Sequence, residues 1–303
     1  LGKWALLFGA GCSILIDLPS FFHDPIDTYG REHAHDWSHS FFGIILYTLC
    51  ITGLAFLRKQ EPIVFIRIAV PIFITHLLFD ISNTNGAPLL FPFFDDLINI
   101  QGISRFDPII GLPLGLSFLL TYRKARTKWS KRALFFVLFY TLSSHGLSLQ
   151  ARYSIAPMLI QMGFPENDIQ ITNPTFFPLL RRVSVKDEDD RYAITYFSPF
   201  SSRPPRVFVK QSIHNPQIDS LLQSSLGQRL VQISSSMIFI KRIENRYIFS
   251  DIRFGGFTDP WESSLHVQSI LEKGSAQPLE YLYFYPKTPL FDDLQEGWKF
   301  LFP

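Results

Sequence analysis

Five apolar runs fill the first half of the chain: residues 4–16, 41–57, 63–79, 109–122 and 133–149. A helix needs about 17–25 apolar residues to cross the hydrocarbon layer of a bilayer. The second, third and fifth runs reach that limit, and the first and fourth reach it only with their flanks. A very apolar soluble helical domain would carry the same runs, so apolarity alone leaves both readings open. The charges favour the membrane. Arg58-Lys59 follows the second run, and Arg123, Lys124, Arg126, Lys128, Lys131 and Arg132 lie between the fourth and fifth. The other two connections, residues 17–40 and 80–108, carry mostly acids and histidines. Basic loops stay cytoplasmic. One orientation satisfies every loop: N-terminus inside, both acidic loops and everything after residue 149 outside. The first run ends at Asp17 without a small-residue cleavage pattern, so it reads as a span and not as a cleaved signal. The chain begins with Leu, so further residues can precede it.

Composition agrees. Hydrophobic residues make up 47% of the 303 residues, with 31 phenylalanines. The net charge of +2 gives no strongly basic surface, so no nucleic-acid partner is expected. Cys12 and Cys50 lie inside apolar runs and read as small core residues, since two cysteines form neither a disulfide framework nor a zinc finger.

Past residue 152 the pattern changes. Residues 157–178 read as loop, and residues 186–191 as a short charged turn. Short segments rich in aromatic and β-branched residues follow at 192–197, 206–210, 237–241, 246–254 and 281–285, bounded by Gly, Pro, Asn or Ser as strands are. Residues 240–249 read as a hairpin turning at Glu244-Asn245, and residues 218–233 as one amphipathic helix. Asp251 and Arg253, two apart, would share one strand face as a structural salt bridge. The expected fold is thus a mainly α membrane domain of five transmembrane helices, residues 1–152, followed by a β-rich α+β extracytoplasmic domain, residues 153–303.

This topology gathers the chemically capable residues at the outer face. Asp17 closes the first helix. His23, Asp24, Asp27, His33, His35, Asp36 and His39 follow in the first outer loop, His76 and Asp80 end the third helix, and His145 is near the outer end of the fifth. The cytoplasmic loops hold no histidine. His76 and Asp80, four apart, project side by side from a helix. They read either as a metal-ligand pair or as a histidine bonded to its own last turn. Ionisable groups near membrane depth are costly and tend to be functional. Three helix ends supplying His or Asp to one layer favour a divalent-metal site. Imidazole with carboxylate and no thiolate suits zinc, with manganese or iron as alternatives. The candidates outnumber one tetrahedral shell, so either two metals bind or several candidates orient the others. Metal-activated hydrolysis is the natural chemistry. No Gly-rich phosphate loop, serine elbow or His-Glu-x-x-His helix occurs. Ser40, beside His39, reads as a helix cap.

The N-terminal half resembles the YdjM family of inner-membrane proteins, regarded as metal-dependent hydrolases. The resemblance rests on Ile16-Asp17-Leu18-Pro19, on His35-Asp36-Trp37-Ser38-His39-Ser40, and on His76-Leu77-Leu78-Phe79-Asp80 with Gly86-Ala87-Pro88-Leu89-Leu90-Phe91-Pro92. It implies a distant likeness to the helical folds of zinc phospholipases C and nucleases, and a phosphoester substrate, lipid or envelope intermediate. The chain departs from the family pattern at Pro19, where a second acid is usual, and at Ala34, where a histidine is usual, with His33 and His35 on either side. The expected ligands are Asp17, His35, His39, His76 and Asp80. His23, His33, Asp24 and His145 are further ligands or their orienting neighbours, and Asp36 is the expected general base. Expected partners are the bilayer, a small-molecule or lipid substrate, and a protein for the C-terminal domain. The alternative is a non-catalytic membrane protein with a structural metal, and after that a metal or ion transporter.

Overall fold

The computed structural model describes residues 3–21, 37–83, 86–94, 96–104, 107–124, 128–174, 176–202, 204–261, 266–272, 275–276, 280–282 and 290–302. The chain divides into two compact units. One comprises Leu1–Gln101 and Pro108–Tyr140, the other Gly102–Asp107 and Thr141–Pro303.

The first unit is helical: α1 (Lys3–Phe21), α2 (Phe41–Leu57), α3 (Pro62–Ser82), α4 (Pro108–Lys124) and the start of α5 (Lys128–Gln161). Helices α1 and α2 both pack on α3. Cys12 and Ile16 of α1 meet Ala69, Phe73 and Leu77 of α3, with Ile44, Tyr47 and Ile51 of α2 closing the core. These positions recur every three or four residues, so each helix turns one narrow face inward. Gly9 makes the α1–α3 approach close, since a Cβ there would lie 2.9 Å from Ile72 Cδ1. The outward faces are equally apolar. Ile45, Leu49, Leu54 and Phe56 are exposed on α2, and Leu134, Phe135 and Leu138 on α5. Such contiguous apolar surface is costly in water and ordinary in lipid. Helices α3 and α5 are long and apolar enough to cross a membrane, and α1, α2 and α4 are shorter apolar helices. Cys50 lies on this outer surface and is exposed, so only Cys12 is a core residue. A helix that is apolar all round gives the sequence no marker of which face turns inward.

The second unit holds the end of α5 and two antiparallel sheets. The first sheet has the order β1 (Gln170–Thr172), β2 (Arg181–Lys186), β3 (Arg191–Phe197), β4 (Val207–Gln211). Alternation along β3 sends Ala193 to one side and Tyr192, Ile194 and Tyr196 to the other. Ala193, with Val183 and Val185 of β2, packs on Ala151, Ile155 and Leu159 of α5. The tyrosine side meets Met237, Phe239 and Trp261. The sheet is thus covered on both faces. The second sheet has the order β5 (Ile238–Ile243), β6 (Arg246–Asp251), β7 (His266–Glu272), β8 (Ser275–Ala276), with β9 (Glu280–Leu282) also beside β7. The hairpin at Glu244 is present, with Ile243 paired to Arg246.

Several details differ from the sequence reading. Residues 157–178 are not all loop, because α5 continues to Gln161 and β1 occupies Gln170–Thr172, paired to β2. Residues 218–233 are not one helix but part of two, α6 (Pro216–Gln223) and α7 (Ser225–Ile233). Ser224 is extended between them, and its Oγ caps α7 by accepting from Gly227 N at 3.1 Å. Arg253 lies in a single 3₁₀ turn, Ile252–Phe254, rather than on the strand. It still forms the buried pair with Asp251, Nη2 to Oδ2 at 2.7 Å. A terminal helix, α8 (Leu290–Leu301), packs Leu294, Phe300 and Leu301 onto the tyrosine side.

Two adjacent arginines of β2 are fully buried. Arg181 donates to Ser148 Oγ (2.8 Å), Pro178 O (2.7 Å) and Ser144 O (2.7 Å). Arg182 donates to Ile252 O (2.6 Å), Gly255 O (3.2 Å), Pro260 O and the Tyr196 hydroxyl. Neutral acceptors thus surround each guanidinium and repay its desolvation.

Candidate metal centre

Four side chains from three segments of the first unit meet at the helix ends. Asp17 comes from the last turns of α1. His76 and Asp80 stand one turn apart at the end of α3. His39 comes from the turn that leads into α2. That turn is built locally. Ser40 Oγ caps α2 by accepting from Gly43 N at 3.1 Å and donates to Trp37 O at 2.7 Å. The backbone of Trp37 and Ser38 lies directly on Gly43, where a Cβ would fall 2.2 Å from Trp37 O. Only glycine leaves room for this turn, and the turn aims His39 inward.

Asp17 Oδ1 is 3.2 Å from His39 Nε2 and 3.6 Å from His76 Nε2. Asp80 Oδ2 is 3.5 Å from His39 Nε2 and 3.4 Å from His76 Nε2. The donor atoms of Asp17, His39 and His76 all lie within 4.8 Å of one another. Neighbouring donors about 2.0–2.2 Å from one shared ion lie roughly 3.0–3.6 Å apart at octahedral or tetrahedral angles. The four distances fall in that range. The second ring nitrogens face serines, with His39 Nδ1 2.9 Å from Ser38 Oγ and His76 Nδ1 3.5 Å from Ser13 Oγ. In the tautomer where each Nδ1–H donates to its serine, both Nε2 lone pairs face the carboxylates. That is how ligand histidines are held. Two carboxylates facing two such imidazoles carry a charge of −2, which one divalent cation balances. The donor set therefore fits a divalent metal. The His39 side chain is 5% exposed and that of Asp17 41%, so the group opens to its surroundings on the Asp17 side.

Of the residues expected from sequence, Asp17, His39, His76 and Asp80 are brought together. His145 belongs to the second unit, where its ring lies over Gly102, 2.1 Å from where a Cβ would be. His23, Asp24, His33, His35 and Asp36 lie outside the described residues. Sequence reading passed over Ser13 and gave Ser38 no role. Ser13 carried one signal: it precedes Asp17 by four residues, on the same face of α1.

Apolar helices with outward apolar faces carry, at their ends, a partly buried histidine–aspartate group that fits a metal ion. No curated protein and no solved structure matches the chain. The sequence model of the YdjM inner membrane protein family matches residues 2–151. That N-terminal half belongs to the YdjM inner membrane protein family.

Proposed function

We propose that the protein is an inner-membrane, metal-dependent hydrolase acting on a phosphoester. The observation that carries this is the pair of histidines with Nδ1 on serine and Nε2 facing two carboxylates at 3.2–3.6 Å. Asp17, His39, His76 and Asp80 are the proposed ligands, with His35 as a further one and Asp36 as the general base. Mixed nitrogen and oxygen donors favour zinc over magnesium or calcium. A bound divalent ion would polarise a phosphoryl oxygen and make water a nucleophile near neutral pH. The protein's own part is positional. Ser13 and Ser38 hold the Nδ1 protons, and the Gly43 turn fixes His39. The exposed edge at Asp17 is where substrate would arrive.

The proposed topology has all five helices α1–α5 crossing the membrane. The basic connections support a cytoplasmic placement for their side, and the acidic, histidine-bearing ones support an extracytoplasmic site and C-terminal domain. Elemental analysis of the detergent-purified full chain tests the metal. Zinc should copurify with the wild type and leave on His76→Ala substitution, with far-ultraviolet circular dichroism unchanged. Absence of any transition metal from a folded wild type would end the proposal. Metal without turnover of phosphomonoester, phosphodiester or phospholipid would convert it to a structural metal site.

A further inference from the structure

The segment after Asp80 is tied to the metal centre at both ends. Phe41 N, two residues past His39, donates to Leu89 O at 3.0 Å. Ile100 N donates to Ile81 O, the residue after Asp80, at 2.6 Å. Between these ties, Ala87 and Ile98 form a bridge, and Phe91 N and Phe93 N donate to Pro88 O and Leu90 O. The result is a compact turn held beside the site. Its tip is apolar and uncovered: Phe93 is 82% exposed, Phe94 61% and Leu90 48%. At its base it continues the outward face of α2, where Phe41 and Phe42 are 52% and 48% exposed. That face needs lipid as its solvent, so the occupant that extends over the turn is the same bilayer. Asp96, exposed just past the tip, limits entry to the boundary between headgroups and acyl chains.

We propose that the turn at residues 88–94 is a membrane-inserted rim of the metal centre. On the hydrolase reading above, on which this part rests, the substrate is then an amphiphile already in the bilayer. Its anionic phosphate headgroup lies at Asp17 and its acyl chains lie along Leu90, Phe93 and Phe94. A water-soluble phosphoester would bypass the rim.

A nitroxide on Phe93→Cys, in the full chain with Cys12→Ala and Cys50→Ala, reconstituted into phosphatidylethanolamine–phosphatidylglycerol vesicles, reads insertion without reference to activity. The label should relax with oxygen and not with a water-soluble nickel chelate, at a depth of about 5–10 Å. Relaxation by the chelate, or shielding from both reagents by a second copy or another part of the chain, overturns the proposal. The double variant Phe93→Ser, Phe94→Ser should keep its metal and its turnover of a short soluble phosphodiester, and lose roughly tenfold or more on vesicle phospholipid. Equal loss on both substrates overturns the substrate assignment. A lipid-embedded label on the variant, together with a wild type that cleaves no phosphoester, leaves the rim standing and removes the hydrolase.

Discussion

Each unit gathers a cluster of ionisable side chains, and the two clusters are solved differently. In the second unit Arg181 and Arg182 are wrapped by carbonyl and hydroxyl oxygens, and Arg253 is clasped by Asp251. Donors there meet acceptors, and nothing further is needed. In the first unit, two carboxylates and two ring nitrogens, all acceptors in the serine-bonded tautomer, converge on one point. An arrangement complete in itself is structural. In that tautomer acceptors face acceptors, an arrangement that a bound cation would complete. Burial points the same way, since both arginines are fully buried while the Asp17 side chain is 41% exposed.

The comparison can be broken. Replacing both His39 and Asp80, by Ala and Asn, should abolish metal retention while leaving the proteolytic resistance of the second unit intact. Loss of that resistance would show the cluster to be structural after all. Arg181→Met strands buried carbonyls of Pro178 and Ser144 and should cost about 3–5 kcal/mol in thermal or denaturant unfolding, with metal content unchanged. Ser38→Ala removes the partner of His39 Nδ1 and should weaken metal affinity roughly tenfold in chelator competition. The smallest effect is a pH dependence of the second unit. Burial pushes the Tyr196 hydroxyl up to about 12, against a partial counter-effect of Arg182. Its protonated form is the one the fold favours, donating to Gly256 O at 2.7 Å. The corresponding stability is complete below about pH 10, the tyrosine value in an unfolded chain, and is lost as pH rises toward 12. Tyr196→Phe should flatten that alkaline limb in pH-dependent unfolding.

Much of this was legible in the chain. The apolar runs announced the helices, since each run lies within one of α1–α5. The spacing of His76 and Asp80 put them side by side in the sequence reading, and the expected topology set Asp17 and His39 in the same layer; the four histidine–carboxylate distances are indeed 3.2–3.6 Å. What was hidden depends on distant partners. Ser13 meets His76 across 63 residues of sequence. Strand β2 opens with Arg181 and Arg182, which look like surface residues until their acceptors on α5 and the loop at 255–260 are in place. The break at Ser224 in the α6–α7 region was invisible to periodicity, because the apolar spacing carries on through the cap.

Gly43 gives the candidate metal centre a weak point far simpler than its proposed ligands. It touches no donor atom, yet the turn that carries His39 rests on its bare Cα, with Trp37 O and Ser38 O where a methyl group would stand. A single methyl there would push His39 out of line while every ligand remained in the gene. Inherited damage at Gly43 would look like a lost histidine in a metal assay and like an intact site to anyone checking ligands alone.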